Sequence, residues 1–147
     1  GLIADGVHVH PAVLDLVFRV KGAGGVALVS DALQSVGTDA TSFRLQGRPV
    51  EVRDGVCYLE DGTLAGSALS MNRAVHLMER STAAGLIDCV RMATATPARV
   101  LGLQDEIGVL RPGARADIVV CYAGLSVWKV FVAGALAYDA EKHQATR

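Results

Sequence analysis

Two short stretches, Leu2-Ile3-Ala4 and Val26-Ala27-Leu28-Val29, are apolar without interruption, and each runs into an aspartate, Asp5 directly and Asp31 after Ser30. Unbroken apolarity, as opposed to alternation, marks a strand covered on both faces, as in a parallel sheet. Between them Pro11 sits where a first helical turn accepts a residue without an N–H. Val13, Leu14, Val17 and Phe18 follow at helical spacing until Gly22 stops the run. The pattern predicts a β-α-β unit whose strands are parallel neighbours joined by a right-handed crossover.

Beyond it, Asp31 to Gly37 reads as a loop, and Phe43 to Tyr58 as a meander turning at Gly47 and at Asp54-Gly55. Asp61 to Ser67 reads as a second polar, glycine-bearing loop opening into a helix, with Ser67 or Ser70 as its cap. Helices are expected over about Leu69 to Ser81 and about Leu86 to Leu101, the second interrupted or restarted near Pro97. From Gly108 the pattern changes to a turn at Arg111-Pro112-Gly113, a strand over Asp117 to Tyr122 and a hairpin over Val127 to Tyr138 around Ala133-Gly134. The polar tail after Asp139 is expected to fray. Two parallel strands followed by a few short antiparallel ones do not close two sheets, so the sequence is expected to be part of a larger fold.

Composition narrows the class. The chain has 147 residues, 51% hydrophobic and 20% charged, enough for one ordinary core. Its net charge is -1, with 14 basic and 15 acidic residues dispersed along the chain, which gives no footprint for nucleic acid or an anionic membrane. No apolar run approaches the roughly 18 residues of a membrane span, and no basic-then-apolar leader opens the chain, so a cytoplasmic protein is expected. Cys57, Cys89 and Cys121 are too far apart for a thiolate cluster and read as reduced thiols in or near the core.

Candidate chemistry gathers at the strand ends. Asp31 lies just past a buried-type strand, where α/β folds place working residues because the strand fixes the backbone while the loop admits substrate. A helix cap or a plain loop aspartate is the structural alternative. His8 follows the other strand end after Asp5-Gly6, and parallel pairing would bring it to the same rim as Asp31, where the two could share acid–base work or hold a polar ligand. His8-Val9-His10 has the spacing of a strand-borne zinc pair. His10, directly before Pro11, is better placed to start the helix. His76 lies in a helix whose Ala74, Val75 and Met78 look core-facing, and His143 lies in the tail, so no complete metal site is expected in this chain. Leu64-Ala65-Gly66 combines a glycine that permits close approach with the N–H groups of a following helix, which suit ligand oxygens; an ordinary surface turn would look the same.

Taken together, IADGVHVHP, ALVSDA, DGTLAGSALSM, RMATATPARVLGL, and IGVLRPGARADIVV followed by VWKVFVAGALAYD resemble the carboxyl-terminal part of the N-acetylglucosamine-6-phosphate deacetylase family of the amidohydrolase superfamily, from Leu2 to about Asp139. The first three blocks are the specific ones; the last two are shared widely across the superfamily. The resemblance implies an α/β fold in which residues 1–107 are the last two β/α units of a (β/α)₈ TIM-type barrel and residues 108–147 the carboxyl-terminal strands of a small β-sandwich. A complete barrel takes about 250 residues, so the chain is expected to be a portion of such an enzyme and inactive alone.

The resemblance further implies hydrolysis of the acetamide of N-acetylglucosamine 6-phosphate to glucosamine 6-phosphate and acetate. Asp31 matches the catalytic general base and acid, and His8 the substrate-contacting histidine. Asp5, Gly6 and Val7 belong to the same contact loop, and Leu64, Ala65 and Gly66 match the backbone that closes over the sugar. A divalent metal, often zinc, is implied as cofactor, held by a glutamate and two histidines outside this chain. The implied partners are the amino-sugar phosphate, the remaining N-terminal part of the same enzyme and a second copy in a homodimer, with neither nucleic acid nor membrane. Two other readings stay open: a superfamily member acting on a cyclic amide or nucleobase, and a non-catalytic sugar-phosphate binding module.

Overall fold

The structure is a computed structural model that describes residues 1–144. Residues 145–147 and the side chain of His143 lie outside the described part. The opening β-α-β unit is present: strand β1 (Leu2–Ile3), helix α1 (Pro11–Lys21) and strand β2 (Leu28–Val29). The two strands pair in parallel, Leu2 opposite Leu28 and Ile3 opposite Val29. Helix α1 starts with Pro11 in its first turn, the His10 side chain accepting the Ala12 N–H, and ends at Gly22, whose N–H donates to the Phe18 carbonyl. Leu14 faces inward and is 1% exposed. It joins Ala4, Val26 and Leu28 from this unit to Val75, Met78, Cys89 and Met92 from the helices that follow.

A four-stranded antiparallel sheet comes next, built from β3 (Ser42–Leu45), β4 (Arg48–Arg53), β5 (Val56–Leu59) and β6 (Leu64–Ser67) in that order. Its first two hairpins turn through Gln46-Gly47 and Asp54-Gly55, with φ of 51° and 84°, and 52° and 79°. Two consecutive positive φ angles match the strand twist in a two-residue hairpin, which is why a glycine stands second in each. The third hairpin departs from expectation. Leu64 to Ser67 is a strand on the free edge of β5, not a loop, with Val56 opposite Ser67 and Cys57 opposite Gly66. A register shift between Cys57 and Tyr58 absorbs the extra residue. Leu-Ala-Gly-Ser shows neither alternation nor β-branched residues, so its extended form comes from the partner strand and not from local preference.

Helix α2 (Met71–Ser81) starts after Ser70, which settles the cap position against Ser67. Helices α3 (Leu86–Ala93) and α4 (Ala95–Val100) are separated at Thr94, with φ -132° and ψ -83°, so the helix restarts just ahead of Pro97 as expected. The break falls upstream because the Pro97 ring needs its own turn to begin there: in the first turn of α4 its missing N–H leaves nothing unsatisfied. The Thr96 hydroxyl, buried, donates to the Ala23 carbonyl at 2.7 Å and ties α4 to the approach of β2.

The chain ends in an antiparallel three-stranded sheet, β7 (Ile118–Cys121), β8 (Val127–Val132) and β9 (Ala135–Asp139), with the expected turn at Ala133-Gly134. Of the tail expected to fray, the described part is a short helix, α5 (Ala140–Gln144), and the expectation for residues 145–147 lies outside the described residues. The Asp139 carboxylate accepts the Glu141 N–H, and the Trp128 indole N–H donates to Glu141. All three cysteines are free, Cys57 and Cys89 buried and Cys121 half-buried. Among the described residues no helix is long and apolar enough to cross a membrane.

One side of α1 is left open: Val13, Leu16 and Val20 are 45%, 58% and 74% exposed. The two faces of this helix therefore answer differently to truncation. In the polypeptide of residues 1–147, Leu14→Ala is expected to lower unfolding free energy by about 2–5 kcal/mol. Leu16→Ala should stay within about 0.5 kcal/mol. Urea unfolding of both variants checks this; equal losses would mean that the outer face of α1 is covered in solution.

Candidate active site

Because β1 and β2 run parallel, their carboxyl ends lie on the same side of the sheet. Asp5 and Asp31 each follow the last paired residue of their strand by two positions, Ile3 and Val29 respectively. The two aspartates are used in opposite ways.

Asp5 is turned into its own loop. Its Oδ1 accepts the N–H groups of Val7 and His8, each at 2.9 Å, and its Oδ2 accepts from His8 Nδ1 at 2.6 Å. Gly6, at φ 79°, allows the chain to fold back over the carboxylate. The Asp5 and His8 side chains are 6% and 14% exposed. Burial alone would push the Asp5 carboxyl up. The bond from the His8 ring and the two backbone N–H groups outweigh it and hold the group below the ordinary carboxylate range. Holding Nδ1 to a carboxylate fixes the imidazole orientation and leaves Nε2 as the nitrogen open to a ligand. The Val7 N–H is already committed to Asp5, so a substrate contact by Val7 would use its carbonyl.

His10 bonds in the other direction, its Nδ1 accepting the Ala12 N–H at 3.2 Å. The His-x-His pair therefore does not converge on one point, because it lies past the end of β1, in a loop and a helix cap. Among the described residues no group of three or more His, Cys, Asp or Glu side chains is arranged to hold a metal ion. The donor set present does not fit the divalent ion that the resemblance implies.

Asp31 is exposed and takes no part in the ion pairs of the described residues. Its backbone has φ 49°, a left-handed conformation that aspartate tolerates better than most residues. What holds it there is β6. The Asp31 carbonyl accepts the Ser67 N–H at 2.9 Å, the Leu33 N–H donates to the Ser67 carbonyl at 2.8 Å, and Ala32 and Ser67 form a parallel bridge. Gly66, at φ 144°, lies so close that a Cβ there would stand 2.9 Å from the Asp31 carbonyl oxygen and from Leu33 Cγ. The structure thus brings Gly66 against Asp31, with Ala65 half-buried and Leu64 exposed leading up to it along β6. The N–H groups at the start of α2 do not adjoin Gly66 as a loop reading would have them, since β6 continues through Ser67 and the helix begins at Met71.

Two features of the site were not anticipated. The Asp5 side chain, expected as part of a contact loop, is the group that orients His8; Asp followed by Gly is the sequence signal for such a side-chain-closed turn. Ser67, weighed only as a helix cap, is wholly buried between β6 and the end of β2. A serine among small residues carries no periodic signal for that role.

The amidohydrolase family model matches residues 1–137. The chain belongs to the amidohydrolase family. Within it, the chain is 38% identical over 136 residues to the N-acetylgalactosamine-6-phosphate deacetylase of Escherichia coli O157:H7, a match spanning 92% of this chain and 36% of that protein. A shorter relative from E. coli strain K12, also 38% identical, is matched over 81% of its own length. Among solved structures, N-acetylglucosamine-6-phosphate deacetylase from Pasteurella multocida superposes with a TM-score of 0.90 at 32% identity, covering 95% of this chain and 36% of that one. A Mycobacterium smegmatis N-acetyl-D-glucosamine-6-phosphate deacetylase variant, solved in complex with N-acetyl-D-glucosamine-6-phosphate, gives a TM-score of 0.79 at 33% identity, covering 92% and 36%. The amidohydrolase chain described here thus has an α/β fold similar to these deacetylase structures and spans little more than a third of their length.

The Asp5–His8 pair makes a pH-dependent contribution that can be isolated. A carboxyl whose folded pKa is depressed stabilises the fold above its unfolded pKa, and that contribution is lost as pH falls through the folded value. Asp5→Asn is therefore expected to lower stability near neutral pH and to make the further loss on acidification shallower. Thermal melts of both proteins from about pH 7 to about pH 3 check the sign. Parallel curves would show that Asp5 does not couple to the fold.

Proposed function

We propose that this amidohydrolase segment carries the acid–base part of an N-acetylhexosamine-6-phosphate deacetylase active site. The observation that carries the reading is the rim itself: Asp31, an exposed carboxylate with no ion-pair partner among the described residues, is held in a fixed backbone conformation past one of two parallel strands, and an oriented imidazole, His8, follows the end of the other, in a chain of this family. Asp31 takes a proton from the attacking water and returns it to the departing amine nitrogen as the acetamide C–N bond breaks, yielding acetate and the amino-sugar phosphate. His8 offers Nε2 to the sugar, and the Gly6-Val7 and Leu64-Ala65-Gly66 backbones flank it. The divalent ion, often zinc, implied by the resemblance finds no ligand set here; in the whole enzyme its ligands lie outside residues 1–147, and no step is assigned to it.

The sequence motifs favour the glucosamine derivative. The deacetylase of E. coli O157:H7 is named for the galactosamine epimer, so the proposed substrate class is N-acetylhexosamine 6-phosphate with the C4 configuration left to assay. We further propose that residues 1–107 are the last two β/α units of a TIM-type barrel and that residues 108–147 belong to a β-sandwich. The open edges of the β1–β2 pair and the bare face of α1 support this, because neighbouring β/α units would cover both. A cytoplasmic homodimer completes the proposal; three free cysteines suit a reducing compartment.

The protein made from the complete reading frame containing these residues is expected to release acetate from N-acetylglucosamine 6-phosphate, N-acetylgalactosamine 6-phosphate or both. Asp31→Asn keeps the size and removes the proton acceptor, so kcat should fall by about 10²–10⁴-fold. KM should change far less. Turnover confined to cyclic amides, or near-normal kcat in the variant, would reject the assignment.

A further inference from the structure

We propose that Ser67 is the positioning residue for Asp31, acting through the backbone of residues 30–33; this rests on the acid–base role given to Asp31 above. Strand β2 ends at Val29, so the sheet does not fix the residues that follow. Asp31 nevertheless adopts φ 49°, a conformation that a non-glycine residue keeps only when its surroundings impose it. Ser67 supplies those surroundings. Its hydroxyl donates to the Ser30 carbonyl at 2.5 Å, its N–H donates to the Asp31 carbonyl at 2.9 Å, and its own carbonyl accepts the Leu33 N–H at 2.8 Å. One residue thereby engages the backbone immediately before, at and just beyond the carboxylate-bearing position.

The hydroxyl is buried and already engaged, its proton included. Ser67 is 0% exposed. A serine oxygen has one proton and two lone pairs. The proton goes to Ser30, and the oxygen accepts the Leu69 N–H at 3.0 Å. Gly66 makes the arrangement possible, since any side chain at that position would collide with the Asp31 carbonyl and Leu33. Ser67 touches no reacting atom in this scheme; it sets where the Asp31 backbone lies.

The test uses the enzyme from the complete reading frame. Ser67→Ala keeps the backbone bonds of β6 and removes the donor to Ser30 and the acceptor for Leu69. Turnover is expected to fall by about 10- to 100-fold, because small displacements of a catalytic group are costly. KM should stay within about 3-fold of the parent. Ser35→Ala is the comparison variant: Ser35 is buried in the same loop, but among the described residues its hydroxyl meets only Cys57 Sγ, at 3.5 Å, so turnover should be preserved. Normal turnover in Ser67→Ala, or an equal loss in Ser35→Ala, overturns the proposal.

Ser67→Cys, close in volume and a weaker donor, is measured alongside and should show a smaller loss of the same kind. If Ser67→Ala is not recovered folded, the cysteine variant decides, and normal turnover there overturns the proposal. Amide hydrogen exchange at Leu33 and Leu69 reads the clamp without substrate. Faster exchange at both in Ser67→Ala supports it even if the parent turns over neither sugar phosphate, an outcome that sinks only the functional reading. Unchanged exchange at both overturns the positioning role.

Discussion

The parallel pairing of β1 and β2 is the constraint on which the site depends, and it is very short. Leu2 and Ile3 meet Leu28 and Val29, and no further rung follows in the described structure. So brief a ladder cannot fix what lies past its ends. The residues beyond it are held from two other directions. Below, Ala4, Leu14, Val26 and Leu28 are locked into a core with Val75, Met78, Cys89 and Met92, so the depth of both strands is set by helix packing. Above, the Asp5 carboxylate closes the first strand-end loop and Ser67 closes the second. The geometry of the rim is thus a product of α2, α3 and β6, elements far along the chain from the strands that carry it.

The two aspartates show how environment divides roles between like groups. Asp5 and Asp31 occupy matching positions after paired strands, yet one carboxylate is engaged within its own loop and the other is open. Asp5 accepts three hydrogen bonds within its own loop, which lower its proton affinity and engage both of its oxygens. Asp31 is exposed and has no such partner among the described residues. A proton carrier needs free lone pairs and access, which suits Asp31 to the proposed acid–base role and Asp5 to holding the loop.

Much of this was written in local pattern. The β-α-β unit follows from two unbroken apolar runs around a proline-started helix, and the hairpin turns follow from glycines placed second in two-residue loops. Asp31 and His8 stand at strand ends, which position alone suggests. What stayed hidden depends on distant partners. Leu64 to Ser67 is extended because β5 offers a free edge, and nothing in Leu-Ala-Gly-Ser announces it. The tail is helical through Gln144 because the Asp139 carboxylate and the Trp128 indole meet Glu141, contacts that polarity alone does not reveal. Ser67 looked like a cap because serines before helices commonly are caps.

Strand β6 therefore joins two functions that the motif alone would keep separate. Its Leu64-Ala65-Gly66 segment is the part proposed to border the sugar, while its last residue fixes the backbone of the proposed base. A paired strand constrains displacement along its length more than a loop does, and here Leu64, Gly66 and Ser67 are matched to Tyr58, Cys57 and Val56 on β5. Contact with a ligand at Leu64 to Gly66 and the placement of Asp31 are then mechanically coupled through the bonds of Ser67. A flexible loop closing over the sugar would leave Asp31 unaffected by whether the site was filled. A paired strand makes substrate contact and base position parts of one rigid element, and the absence of a side chain at Gly66 is what allows that element to approach the end of β2 at all.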